Sequence, residues 1–166
     1  MNPWNLARRI IAAGRVAETA PNRPVAEHAG AVFGGSVQVR HVDAGSCNGC
    51  EIEVGAAFNP VYDAERYGAR LVASPRHADV VLVTGVVTHN MAEPLRRTVE
   101  ATPRPRLVLA VGDCAHDCGV FRGAFGVRGS VADVVDVDLV VPGCPPEPAA
   151  IVEALMGRDQ EAARAA

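Results

Sequence analysis

Short runs rich in Val and Leu recur along this chain of 166 residues and restrict its fold to a few architectures. Five such runs, bounded by Gly, Pro or Asp, span residues 37–42, 70–73, 79–84, 106–111 and 136–141. Three of them are nearly continuous apolar segments, which is the pattern of strands buried on both faces of a parallel sheet. Helical patterns follow three of the runs, at residues 50–58, 91–101 and 147–156. The alternation of strands and helices predicts an α/β fold with a mainly parallel sheet.

The same patterns divide the chain into three parts. Residues 36–157 contain all five runs and are expected to form one flavodoxin-like, doubly wound domain. Residues 1–35 are predicted to be an N-terminal amphipathic helix and a linker, because apolar residues recur at spacings of three and four before two prolines. Residues 158–166 are expected to form an Ala-rich C-terminal tail.

Charge and hydropathy exclude several classes of function. With 16 Lys and Arg against 19 Asp and Glu, the net charge of −3 provides no basic field for nucleic acid, so we expect no nucleic-acid partner. No apolar run reaches the roughly 18 to 20 residues that a membrane-spanning helix requires. The N-terminus has arginines among its apolar residues and lacks the uninterrupted apolar centre of a secretory signal, which favours a cytoplasmic origin.

Four of the five cysteines follow the ends of predicted strands. Cys47 and Cys50 follow the first strand, Cys114 follows the strand that ends at residue 111, and Cys144 follows the last strand. The carboxyl ends of parallel strands meet at one edge of the sheet, where open α/β folds bind their ligands. We therefore expect these thiols to converge although they are far apart in the sequence.

Small residues surround the cysteines and suggest a metal centre. Cys47 and Cys50 form a C-x2-C motif with Gly45 before it and Gly49 within it, and Cys144 is followed directly by proline. Both features occur in iron–sulfur sites, and zinc sites also use C-x2-C pairs. A zinc site, a C-x-x-C redox dithiol and a set of unrelated thiols remain alternatives.

The fifth cysteine leaves the ligand set open. Cys118 forms a C-x3-C pair with Cys114, so the spacing alone permits it to replace one of the four.

At these residues the sequence resembles a known family. The matching segments are CNGCEIEVGAAFNPVYDAERYGARLVASPRHA, DVVLVTGVVT, GDCAHDCGVF and VPGCPPEP. They resemble the small subunit of energy-converting NiFe hydrogenases and formate hydrogenlyase, which is homologous to the 20 kDa subunit of complex I. The resemblance covers about residues 36 to 156. It implies an oxidoreductase subunit with one 4Fe-4S cluster, which passes electrons to or from an active site in a larger subunit and is not catalytic alone.

Carried over by position, the family's cluster ligands are Cys47, Cys50, Cys114 and Cys144. Cys118 stands where the family usually has glycine and is therefore expected to be an extra thiol near the cluster. The complex I subunit typically has adjacent cysteines at the first pair, whereas hydrogenase small subunits have C-x2-C. The spacing in this chain thus resembles the hydrogenase branch.

The resemblance also suggests roles for charged residues. Glu53 becomes a candidate for a subunit interface and a proton path, although a solvated carboxylate near a helix start would look the same. Arg76 and His77 resemble a family loop close to the cluster, where a cation would raise the reduction potential; ordinary surface charge is the alternative.

The resemblance implies a membrane-associated NiFe hydrogenase or formate hydrogenlyase-type complex, peripheral on the cytoplasmic face of the cell membrane. The implied partners are a large catalytic subunit, NiFe-hydrogenase-like or complex I 49 kDa-like, a ferredoxin-like electron-transfer subunit, and membrane subunits. The alternatives are the cluster subunit of a complex I-like NADH:quinone oxidoreductase, a zinc-stabilised interaction module, and an FMN carrier suggested by the fold alone.

Overall fold

The computed structural model describes residues 29–156 of the chain. The amphipathic helix predicted before residue 20 and the Ala-rich tail lie outside the described residues.

The described residues form a parallel sheet with helices on both faces. The strands are Val37–Asp43 (β1), Ala69–Leu71 (β2), Val80–Thr84 (β3), Val87–Thr88 (β4), Leu107–Val111 (β5), Val127–Gly129 (β6) and Leu139–Val141 (β7). The helices are Ala29–Val32 (α1), Gly49–Ala57 (α2), Ala92–Ala101 (α3), Asp113–Asp117 (α4) and Pro148–Met156 (α5).

Five strands pair in the order β2-β1-β3-β5-β7, and every pairing in this sheet is parallel. Counted along the chain, this order is 2-1-3-4-5, the doubly wound arrangement of flavodoxin, and it confirms the predicted fold class. The strand order reverses between β1 and β3. Register aligns Asp43 with Thr84, Thr84 with Val111, and Val111 with Val141. The carboxyl ends of four strands therefore lie level at one edge.

Each face of the sheet packs against its own set of helices. On one face, β-strand residues pack against α1, α2 and α5, with Ile151 and Leu155 fully buried. On the other face, Leu95 and Val99 of α3 pack against alternate strand residues. All five residues of β3 are buried, which explains its continuous apolar sequence. Burying each large aliphatic side chain stabilises the fold by about 1.5–3 kcal/mol.

The differences from the predicted elements are local. The last strand begins at Leu139 rather than residue 136, because the Asp138 carboxylate accepts a hydrogen bond from the Val108 N–H at 2.7 Å in place of a ladder contact. The antiparallel pair of β4 and β6 and the five-residue helix α4 have no counterpart in the prediction. These segments are too short for a hydrophobic period to be recognised.

No helix within residues 29–156 combines the length and apolar character needed to cross a membrane.

Candidate metal centre

A cavity of about 140 Å³ opens at the carboxyl edge of the sheet. Its wall contains the sulfur-bearing residues of three separate loops: Cys47, Cys50, Cys114 and Cys144. The structure thus brings together the four cysteines that the sequence singled out. Cys47 and Cys144 are exposed, whereas Cys50 and Cys114 are buried.

The first loop is shaped by a carboxylate and by a glycine of the neighbouring loop. Asp43, the last residue of β1, accepts hydrogen bonds at Oδ1 from the N–H groups of Gly45 (2.9 Å) and Ser46 (2.7 Å). These bonds fold the chain back immediately after the strand. A Cβ on Gly85, which follows β3, would lie 2.3 Å from the Ser46 nitrogen. The loops after β1 and β3 can therefore approach only because residue 85 has no side chain.

Cys50 lies in the first turn of α2, which begins at Gly49 after Asn48 in a left-handed conformation (φ 71°). The positive end of the helix dipole there favours a negatively charged sulfur. Gly112, in the loop after β5, lies against the same sulfur. A Cβ at this position would be 2.5 Å from Cys50 Sγ. Its φ of +92° is also a conformation that side chains rarely adopt. Gly112 is thus required both by backbone shape and by the space that the sulfur occupies.

Hydrogen bonds join the loop after β5, which carries Cys114, to the loop after β7, which carries Cys144. The Gly112 N–H donates to the Val141 carbonyl at 2.8 Å, and the Asp113 N–H donates to the Gly143 carbonyl at 2.9 Å. In return, the Gly143 N–H donates to Asp113 Oδ1 at 2.7 Å. The loops that carry Cys114 and Cys144 are therefore fixed to each other by three bonds.

The electrostatics of the cavity disfavour free thiolates. Burial raises the pKa of the Cys50 thiol to about 11, and the neighbouring cysteines, Cys114 first, add to the rise. Burial likewise raises the pKa of Cys114, and Cys144 then contributes. Several negative sulfurs in one cavity repel each other unless positive charge is placed between them. The donor set, four sulfurs and no imidazole, fits a bound inorganic group that supplies this charge.

Within the part of the chain that the structure describes, no three His, Cys, Asp or Glu residues are arranged to hold a metal ion. What points to a bound inorganic group is that four sulfur-bearing residues line one cavity.

Cys118 is placed beside the cavity wall and not in it. Its side chain is buried in a small cluster with Val86, Cys114, Phe121 and Val127. The backbone of Cys118 is left-handed (φ 71°), the region that glycine favours. Burial raises the pKa of this thiol. Of the two cysteines in the C-x3-C pair, the structure thus offers Cys114 to the cavity.

The charged candidates lie apart from the cavity. Glu53 is half-buried on α2 and does not line the cavity. Arg76 and His77 occupy the short 3-10 turn before β3. This turn is at the amino edge of the sheet, because β3 runs from it toward the cavity at the opposite edge. The structure therefore does not place Arg76 close to the four sulfurs.

Two residues around the centre escaped the sequence reasoning. Asp113 lines the cavity directly before Cys114. The sequence feature that could have indicated it is an acidic residue between a glycine and a candidate ligand. His41 is hydrogen-bonded through Nε2 to the buried Thr84 hydroxyl at 2.9 Å. Burial lowers the pKa of His41, and Glu51 and Asp43 partly oppose this effect. No spacing in the sequence indicated this pairing across β1 and β3.

Known proteins share this sequence and fold. The chain is 47% identical over 124 residues to a probable membrane-bound hydrogenase subunit, mbhJ, of Pyrococcus furiosus, covering 75% of this chain and 74% of that protein. It is 46% identical over 115 residues to formate hydrogenlyase subunit 7 of Escherichia coli, covering 69% of this chain but only 45% of that subunit.

Solved structures of other proteins share this fold. A chain of the archaeal membrane-bound sulfane sulfur reductase, a respiratory membrane complex, superposes with a TM-score of 0.64 at 32% identity, covering 74% of this chain and 69% of the other. A chain of an NAD+-reducing [NiFe]-hydrogenase shares the fold with a TM-score of 0.57 at 22% identity, covering 75% and 93%.

Residues 47–157, which include all four cysteines of the cavity, match one protein family over about two thirds of the chain. The relatives named above are subunits of oxidoreductase complexes, as the sequence resemblance implied. The chain belongs to the family described as NADH ubiquinone oxidoreductase, 20 Kd subunit.

Proposed function

We propose that this chain is an electron-transfer subunit that holds one 4Fe-4S cluster through Cys47, Cys50, Cys114 and Cys144. The observation that carries the proposal is that these four thiols, from three strand-end loops, line one cavity. We place the chain beside a large catalytic subunit in a membrane-associated NiFe hydrogenase or formate hydrogenlyase-type complex on the cytoplasmic face of the membrane. A ferredoxin-like subunit exchanges electrons with it, and membrane subunits anchor the complex.

The residues of this chain supply the ligands, the space and the electrostatics of the site. When bound, the cluster takes up and releases single electrons. The thiolates of the three loops hold it, and the first turn of α2 offers its positive end beside Cys50. Gly49, Gly85 and Gly143 line the cavity without side chains and leave backbone close to the sulfurs. Hydrogen bonds to the sulfurs, net charge and solvent exposure are among the means by which proteins set cluster potentials.

The rival sites fit the cavity less well. Structural zinc sites usually draw their ligands from local C-x2-C pairs, whereas two of these four cysteines come from separate single-cysteine loops. A flavodoxin-like FMN carrier would need a phosphate-binding loop after β1. That loop instead carries Cys47 and the turn held by Asp43. Four sulfur donors drawn from three separate strand-end loops therefore favour an iron–sulfur cluster over both.

The hydrogenase assignment is supported by the C-x2-C spacing and by the two relatives at 46–47% identity, whose names are those of hydrogenase and formate hydrogenlyase subunits. The test is to purify this chain with its large partner and to assay the complex and the chain separately. We expect nickel and hydrogen turnover in the complex and neither in the isolated chain. A complex without nickel that reduces quinone would favour the complex I-like alternative, and sustained turnover by the isolated chain would contradict the partner hypothesis.

The loop between α4 and β6 offers a surface for the large subunit. Val120 is 86% exposed and Phe125 is 101% exposed, and their loop lies at the same edge of the sheet as the cavity. Exposed apolar side chains around a site are typical of a surface that a partner covers. Val61 is also 81% exposed but follows α2 at the other end of the domain.

We expect the double substitution Val120→Ser and Phe125→Ser to reduce co-purification of the large subunit by at least about tenfold, since burying two such side chains contributes a few kcal/mol. The matched control Val61→Ser should retain the partner. Quantitative pull-down from the same expression strain measures both. Equal recovery with the double variant and the control would show that this loop is not the interface.

A further inference from the structure

We infer that Asp113 is a positioning residue with two separable effects on the proposed centre: its hydrogen bond fixes the Cys144 loop, and its charge lowers the reduction potential of the cluster. The inference rests on the proposed function, because it requires a cluster in the cavity.

The positioning effect follows from the hydrogen bonds. Asp113 and Gly143 are joined in both directions, by the main-chain bond of 2.9 Å and by the bond of 2.7 Å from the Gly143 N–H to Asp113 Oδ1. Asp113 immediately precedes Cys114, and Gly143 immediately precedes Cys144. The pair therefore sets the distance between two of the proposed ligands. Gly143 has little freedom to compensate, since its φ is +135° and a Cβ there would lie 2.7 Å from Pro146 Cα.

The effect on potential follows from the charge. Asp113 lines the cavity, and none of the ion pairs formed within residues 29–156 involves its carboxylate. A negative charge beside a cluster makes the addition of an electron less favourable. The reduced state is therefore disfavoured and the potential is lowered.

Asp117 provides a matched control on the same helix. Its carboxylate accepts a hydrogen bond from the Gly119 N–H at 2.8 Å and pairs with Arg122 at 3.5 Å. Asp117 does not line the cavity. Asp117→Asn therefore removes the same formal charge from α4 without touching the cavity wall or the Gly143 contact.

The experiment compares three variants of the full chain in its purified complex by redox titration followed by EPR, together with iron content. Asp113→Asn retains an acceptor oxygen for the Gly143 N–H and removes the charge, so we expect wild-type iron content and a midpoint potential shifted to more positive values. Asp113→Ala removes both and should also lose cluster. Asp117→Asn should shift the potential much less than Asp113→Asn.

An unchanged potential in Asp113→Asn, or a shift no larger than that of Asp117→Asn, would overturn the effect on potential. Wild-type cluster retention in Asp113→Ala would overturn the positioning effect. Either result leaves the proposed function intact if the wild-type complex shows the cluster signal. Absence of that signal from the wild-type chain would instead refute the proposed function.

Discussion

Substitution of Cys47, Cys50, Cys114 or Cys144 by Ser should destroy the cluster or convert it, while Cys118→Ser should leave the EPR signal of the reduced cluster intact. The four residues line the cavity, whereas Cys118 is buried in a neighbouring apolar group. A cubane requires four protein ligands, so the loss of one thiolate leaves an incomplete set. The effect should be nearly complete for each ligand variant, and iron content with EPR of the anaerobically purified protein measures it.

Cys118→Ser is the matched control because it makes the same chemical change four residues from Cys114 in the sequence. If the signal disappears with Cys118→Ser and survives with Cys114→Ser, the cluster ligand is Cys118 and not Cys114.

Gly112→Ala should abolish most cluster binding. The added Cβ would lie 2.5 Å from Cys50 Sγ, closer than such atoms approach in proteins, and the surrounding atoms include the Gly143 carbonyl at 3.4 Å. The residue also has φ +92°, where a side chain costs on the order of 1 kcal/mol or more. Either Cys50 Sγ or the loop that carries Cys114 must move, and either movement displaces a proposed ligand. Iron bound per chain after reconstitution should fall several-fold.

Gly123→Ala separates the collision from the backbone strain. Gly123 has a comparable φ of +79°, but a Cβ there meets no atom within 4 Å. This control should unfold at a slightly lower temperature than wild type and bind iron normally. Equal iron binding by the two glycine variants would mean that the space beside Cys50 is not needed for assembly.

The fold could be predicted from the sequence where burial leaves an unambiguous pattern of apolar residues. The run that became β3 is buried at every position, so its continuous apolar sequence indicated a central parallel strand correctly. The short strands β4 and β6 have two and three residues and pair with each other across about 40 positions of sequence. No local periodicity can indicate such a pairing.

Part of the candidate site could be predicted once the parallel strands were recognised. Strand ends locate Cys47, Cys50, Cys114 and Cys144 at one edge, because parallel strands share their direction. Spacing could not decide between Cys114 and Cys118. The short helix α4 places Cys114 in its first turn, where it lines the cavity, and Cys118 at its end, outside the cavity wall.

The resemblance was a weaker guide for charged residues. It suggested that Arg76 lies near the cluster, but the turn that contains Arg76 precedes β3, and the cavity follows the end of that strand. Asp113 needed the three-dimensional structure, since its importance comes from contact with Gly143, 30 residues away. Contacts between loops depend on how loops from different strands meet in space, and the pattern within a single segment does not indicate this.

Analysis of iron, acid-labile sulfide and zinc in the full chain after anaerobic reconstitution tests the proposed 4Fe-4S centre most directly. We expect about four iron and four sulfide ions per chain, a broad absorption at about 400 nm, and an EPR signal on reduction. About one zinc ion per chain without sulfide, and no iron retained by the four cysteines, would contradict it.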